Sequence, residues 1–316
     1  MDLQGHRGAR GLAPENTLAG FARALAIGVS TLELDLGVTA DYRLVVIHDS
    51  RLDPATTRGP DGRWLTPPTP AVRELMLAQL RQFDVGRLEP ASRLRRLLPD
   101  QVPQDGARIP TLAEVVELAV AAGNATVRFN IETKLDPEQP EATVPADRFA
   151  RLVVEEVHRL GIAERTTVQS FDWRTLQVVQ ALAPEIATAC LTVQRPSFDN
   201  LRRGRPGASP WTAGLDVDAI GSVPDLVVAA GCRIWSPAAD ELHKLSLAEA
   251  HGLGLQVIPW TVNDTTVMES LVDAGIDGIV TDYPDRLRRV MQRKGLPLPP
   301  ATPVPAAAIP AAGPAP

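Results

Sequence analysis

The chain has 316 residues, 44% of them apolar and 22% charged, with a formal net charge of −6. That is enough apolar material for one large core, and α/β barrels run to about 250 residues as a single domain. The acidic balance argues against a nucleic-acid partner, which requires a basic footprint, and no apolar run reaches the roughly 18 residues of a membrane span, so stable membrane insertion is not expected. Two arginine clusters (Arg93, Arg95, Arg96 and Arg202, Arg203, Arg205) read as solvated surface. Cys190 and Cys232 are too few and too far apart for a zinc motif or a disulfide framework. Each lies in an apolar strand-like run, so buried free thiols are expected. No signal peptide precedes His6. The chain as it stands is expected in the cytoplasm, or in the periplasm or outside the cell if a leader was removed.

The first strand covers about 2–6 and ends in His6-Arg7-Gly8. Pro14-Glu15-Asn16-Thr17 opens a helix over 16–27, with Asn16 or Thr17 as its cap and Gly28 as its stop. The next strand, 31–36, carries Glu33 and Asp35 at i and i+2, which puts both carboxylates on one face. A hairpin strand over 44–49 ends in His48-Asp49, and from 50 to about 110 the regular alternation breaks down. Sixty irregular residues inside an otherwise regular chain read as a functional insertion, about 37–110 in all. Regularity returns with a capping box, Thr111 and Glu114, and a helix ended by Gly123. Strands are then predicted over 126–132, 166–170, 186–192, 232–235, 256–260 and 278–281, separated by helices over 149–160, 172–182, 223–230, 246–251 and 264–274, with a last helix over 284–294. Eight βα units predict a (β/α)8 TIM barrel over 1–295, with its small insertion after strand two. A doubly wound sheet is the weaker alternative, because no G-x-G-x-x-G follows the first strand. Residues 296–316 are almost pure Pro and Ala and are expected to form a disordered tail.

Such a barrel carries its active site at the C-terminal ends of its strands. The polar residues predicted there are His6-Arg7, Glu33 and Asp35, His48-Asp49, Asn130-Ile131-Glu132-Thr133-Lys134, Gln169-Ser170-Phe171 and Trp260-Thr261-Val262-Asn263. Glu33, Asp35 and Glu132 bring carboxylates from neighbouring strands, a donor set that suits one divalent cation, Mg²⁺ or Ca²⁺, better than zinc. A histidine and an arginine beside paired acids suggest a metal-assisted phosphate site. Each residue alone has a structural reading, as a surface ion pair or a packing group. Six titratable side chains at one end of one barrel do not. Trp260 either packs or touches substrate, and is a substrate-binding candidate.

These motifs resemble the glycerophosphodiester phosphodiesterases, in which a His-Arg-Gly start, a Pro-Glu-Asn-Thr box, Glu-x-Asp, a later His-Asp, Asn-x-Glu-x-Lys and Trp-Thr-Val-Asn recur. The resemblance runs from about Leu3 to Arg289 and implies a barrel with a small insertion after strand two. It implies that Glu33, Asp35 and Glu132 bind the cation, that His6 and His48 share the acid and base roles, and that Arg7 and Lys134 hold the phosphate. The reaction would be hydrolysis of a small-molecule glycerophosphodiester to glycerol 3-phosphate and an alcohol, in glycerol and lipid metabolism. Two features depart from the pattern: Tyr42 stands where the hairpin turn usually has Asp or Gly, and the insertion is long and arginine-rich. A lysophospholipase D using the same site is a second reading, with Trp64, Leu65, Met76 and Leu77 as a candidate apolar mouth. A barrel that binds phosphate without catalysis is a third.

Overall fold

The computed structural model describes residues 1–308. Its strands are β1 (Asp2–Gly5), β2 (Thr31–Val38), β3 (Leu44–Val46), β4 (Arg128–Thr133), β5 (Thr166–Ser170), β6 (Ala187–Thr192), β7 (Gln194–Arg195), β8 (Phe198–Asp199), β9 (Ile234–Pro237), β10 (Gln256–Val257) and β11 (Gly278–Thr281). Eight of them run parallel in the order β10-β9-β6-β5-β4-β2-β1-β11. The ends of that row meet: Val280 N–H donates to Pro259 O at 3.0 Å and Val262 N–H to Val280 O at 3.0 Å. The fold is a TIM barrel that is nearly closed. β3 folds back antiparallel on β2, and β7 and β8 form a small hairpin after β6 that the sequence pattern does not announce.

Strand alternation divides the interior. Leu32, Leu34, Phe129 and Ile131 point outward to the helices, where they are buried with Phe21, Phe149 and Trp173. The inward residues differ between the two sides of the barrel. Ala189, Ile234, Ile258 and Val280 form an apolar plug. Opposite it lies a polar chain, in which Asn130 Nδ2 donates to Gln4 Oε1 (2.8 Å) and Gln169 Oε1 (3.0 Å), and Gln169 Nε2 donates to Glu33 Oε1 (2.8 Å). Buried amides of this kind are tolerated because they satisfy one another, and here the chain ends at a carboxylate of the mouth.

Thr17, not Asn16, caps the helix Leu18–Ile27, accepting from Gly20 N–H at 3.0 Å. Thr111 and Glu114 form the expected reciprocal box, whereas the helix predicted over 246–251 starts two residues earlier, at Lys244–Gly252, with Ser246 Oγ accepting from His243 N–H. The excursion after β2 has a core of its own, with Val45, Leu52, Val72, Leu80 and Ile109 buried and Leu65 and Leu77 packed against them. Its buried Asp84 ties Arg58 (2.6 Å) and the backbone N–H groups of Gly86 and Gly106 together. Tyr42 holds φ +56°, the reason a glycine or aspartate suits that turn, and its ring lies 4.8 Å under the Arg148 guanidinium.

Two expectations are corrected. Cys190 and Cys232 are joined in a disulfide rather than free, because β6 and β9 are neighbours in the barrel although 42 residues separate the thiols. Nor is the start of the tail unattached. Arg288 Nη1 donates to Gly28 O (2.9 Å) and Pro299 O (2.7 Å), Thr302 N–H to Leu25 O (2.9 Å), and Asn124 Nδ2 to Thr302 Oγ1 (3.0 Å), while Val304 packs on the main core. The segment builds no core but borrows the floor of the barrel, and its prolines lose little backbone freedom on docking. The remainder of the tail, 309–316, lies outside the described residues. Ending the chain after Leu296 should therefore lower the melting temperature by about 4 °C or more, roughly 2 kcal/mol at this chain length. An unchanged melting curve would show that the strap contributes nothing.

Candidate active site

The register sets the acids. Asp35 pairs with Glu132 across β2 and β4, and Glu33 pairs with Asn130 one layer deeper. One carboxylate oxygen from each of Glu33, Asp35 and Glu132 lies within 4.8 Å of the others, and all three residues are buried. Glu33 accepts from Arg7 N–H and Gln169 Nε2, both at 2.8 Å. Asp35 Oδ2 accepts from Asn16 Nδ2 at 2.9 Å and pairs with Arg7 Nε at 3.1 Å, whereas its Oδ1 has no hydrogen-bond partner. Glu132 Oε1 accepts from Lys134 Nζ at 2.7 Å.

Burial presses all three acids toward the neutral form, and their mutual repulsion adds to it. Glu33 is raised well above the usual carboxylate range by burial and then by Asp35. Glu132 is raised to about 7 by burial, with Lys134 pulling the other way. At Asp35 burial acts in the same sense, but Arg7, His48 and Lys134 overcome it and hold the carboxyl low. An orphaned oxygen and three crowded carboxyls are what a hard divalent cation would satisfy, so the donor set fits one.

Arg7 turns at φ +50°, which aims its N–H at Glu33 while its guanidinium reaches Glu15 (2.8 Å) and Asp35. Burial alone would weaken that cation; Glu15, Asp35 and Glu33 more than offset it and keep it charged. Glu15 also pairs with Arg10, and the two arginines bring it down to about 2 against its own burial. Lys134 stands 3.7 Å from Asp35 Oδ1 as well as on Glu132.

Both histidines give Nδ1 to a carboxylate. His6 Nδ1 lies 2.6 Å from Asp282 Oδ1, whose other oxygen accepts from Asn263 Nδ2 at 2.7 Å. His48 Nδ1 lies 2.7 Å from Asp49 Oδ1. A carboxylate at Nδ1 holds the proton there and leaves Nε2 as the free nitrogen of each ring. Burial lowers the His6 pKa despite Asp282. Burial, with Arg7 and Lys134 behind it, lowers that of His48 to about 4.

His6, Arg7, Glu33, His48, Glu132 and Lys134 line one cleft of about 220 Å³, and Asp35 lies beneath it in contact with Arg7. Its far side is aromatic. Trp260 lines it, with the indole N–H given to Ser236 O (2.9 Å) and the ring edge-to-face with Phe171 at 5.3 Å. The structure thus brings together His6, Arg7, Glu33, Asp35, His48, Glu132, Lys134 and Trp260. Glu15, Asn16, Gln169, Asp282 and Asn263 position them, Gln169 and Asn263 being among the strand-end residues collected from sequence. Trp64, Leu65 and Leu77 are not at this mouth: Trp64 lies under Arg58 and the two leucines pack within the insertion.

A family model described as the glycerophosphoryl diester phosphodiesterase family matches residues 6–286. The chain belongs to that family. A Bacillus subtilis protein provisionally named a glycerophosphodiester phosphodiesterase is 32% identical over 290 residues, spanning 90% of this chain and 96% of its own. A solved structure from Silicibacter pomeroyi, provisionally named a glycerophosphoryl diester phosphodiesterase, aligns with TM-score 0.82 at 37% identity over 94% of each chain. An Oleispira antarctica phosphodiesterase, solved with the product sn-glycerol-3-phosphate, shares the fold at TM-score 0.68 and 22% identity, covering 92% of this chain and 97% of its own. By family the chain is a phosphoric diester hydrolase with a small-molecule substrate. Among the described residues no helix is long and apolar enough to cross a membrane.

Proposed function

We propose that the chain hydrolyses glycerophosphodiesters to glycerol 3-phosphate and an alcohol, with one divalent cation, Mg²⁺ or Ca²⁺, held by Glu33, Asp35 and Glu132. The observation that carries this reading is the convergence on one cleft of three crowded buried carboxylates, two cations and two imidazoles with free Nε2 atoms. Bound there, the cation supplies positive charge opposite the phosphoryl oxygens.

A phosphodiester anion repels its nucleophile. Arg7 and Lys134 offset that charge and match the further charge of the transition state. One imidazole takes the proton of the attacking oxygen as the new O–P bond forms. The other gives a proton to the departing alkoxide as the old P–O bond breaks. Asp282 and Asn263 hold the His6 ring, and Asp49 holds that of His48. Burial depresses His48 most, with Arg7 and Lys134 adding to it, and an anionic substrate that offsets those two charges raises the affinity of the ring for a proton. Trp260 and Phe171 give the substrate an apolar wall.

The test is a product assay on glycerophosphocholine, glycerophosphoethanolamine and glycerophosphoglycerol in Mg²⁺ or Ca²⁺. Glycerol 3-phosphate and the free alcohol should appear one for one. Binding of the diesters without release of either product would leave a phosphate-binding barrel.

A further inference from the structure

A second, smaller cavity adjoins the catalytic cleft, and His48 lines both. Its volume is about 30 Å³, room for a small polar group. Its lining carries carboxylate and amide acceptors. Asp49, half-exposed, uses Oδ1 on His48, and the partly buried Asp53 uses Oδ1 on Ala55 N–H; the Oδ2 atom of each has no hydrogen-bond partner among the described residues. Asn16, 4% exposed, also lines it; its Nδ2 is taken by Asp35, while Oδ1 is buried without a partner. Of the cations nearby, Arg51 gives Nη1 to Thr69 O, and Arg7 and Arg10 are engaged with Glu15.

We propose that this cavity receives the primary ammonium group of the leaving alcohol, making ethanolamine-type glycerophosphodiesters the preferred substrates. The inference rests on the phosphodiesterase reading above and adds the head-group class to it. An –NH₃⁺ group carries three donors, and Asp49, Asp53 and Asn16 each have an acceptor to give. It is also about the size of a water molecule. A trimethylammonium group has no N–H, so choline leaves those acceptors without a donor. A neutral glycerol head group brings no charge to offset the two carboxylates. Because His48 lines both the cavity and the cleft, a head group held here leaves the departing oxygen on the His48 side.

The test compares kcat/KM for glycerophosphoethanolamine, glycerophosphocholine and glycerophosphoglycerol on the full chain and on Asp53→Asn. The amide keeps an oxygen for Ala55 N–H while removing the charge. The wild type should favour the ethanolamine diester by about tenfold or more, as expected for one charge-assisted hydrogen bond. Asp53→Asn should remove most of that preference and leave glycerophosphoglycerol within about twofold. Because the wild-type ratio is read without any substitution, a poorly folded variant does not decide the matter. A wild type that handles choline as well as ethanolamine overturns the proposal, as does an Asp53→Asn loss equal on all three diesters; the cavity then holds only a water molecule. Turnover of none of the three would instead remove the phosphodiesterase reading, and the inference with it.

Discussion

Glu33→Gln and Glu132→Gln should each lower turnover by about 10³-fold or more, beyond the 10²–10³ typical of losing one electrostatic contact in an active site, while leaving a folded barrel. The amides match the acids in shape but not in charge, so the loss would report on cation binding rather than packing. Glu132→Gln should also leave a signature in the chelated protein that needs no activity. The folded state keeps the Glu132 proton to about pH 7, whereas the unfolded chain releases it near the ordinary 4.5. Between those values the native state binds the extra proton, so this carboxyl's contribution to stability falls as pH rises, by about 3 kcal/mol at most. The amide has no such proton to lose. Its melting temperature should therefore climb relative to wild type between about pH 4.5 and 7, and level off above. A pH-independent difference would mean that Glu132 ionises normally when no cation is bound.

The second large effect separates the histidines. The alkoxide of ethanolamine is a poor leaving group and needs a donated proton, whereas a nitrophenolate leaves unaided. General acid help is worth about 10²–10⁴-fold. The head-group cavity lies on the His48 side, so His48→Ala should be crippled on glycerophosphoethanolamine and recover most of its activity on a nitrophenyl diester. His6→Ala should stay crippled on both, because activation of the nucleophile is needed for either. Measured with metal saturating, equal losses for both variants on both substrates would replace this division of labour with a shared positioning role.

Much of this site was legible because β/α barrels place function at strand ends. His6 and Glu132 close predicted strands, Asp35 lies one residue before a strand end and Lys134 two after one, and alternation puts Glu33 on the same face as Asp35. What escaped depends on which strands are neighbours. Asp282 follows β11, nearly the whole chain away from His6, and meets it only because β1 and β11 pair. Gln169 reaches Glu33 across β4 in the same way. The Cys190–Cys232 disulfide is invisible for the same reason. The Pro/Ala-rich strap misled because composition reports whether a segment can build a core, not whether it can dock on one already built. In the insertion, apolar Trp64, Leu65 and Leu77 could equally have faced the mouth or packed. The small core under Val45 and Leu80 takes the two leucines, and Arg58 covers the tryptophan.

The most direct test of a cation-dependent reaction is titration of the chelated, dialysed protein with Mg²⁺ or Ca²⁺ while glycerol 3-phosphate release is followed and bound metal is counted. Turnover should be absent at the start, return as one ion per chain is taken up, and fail to return in Glu33→Gln at the same concentration. Full turnover by the wild type in excess chelator, with no bound metal, would contradict the proposal at its centre.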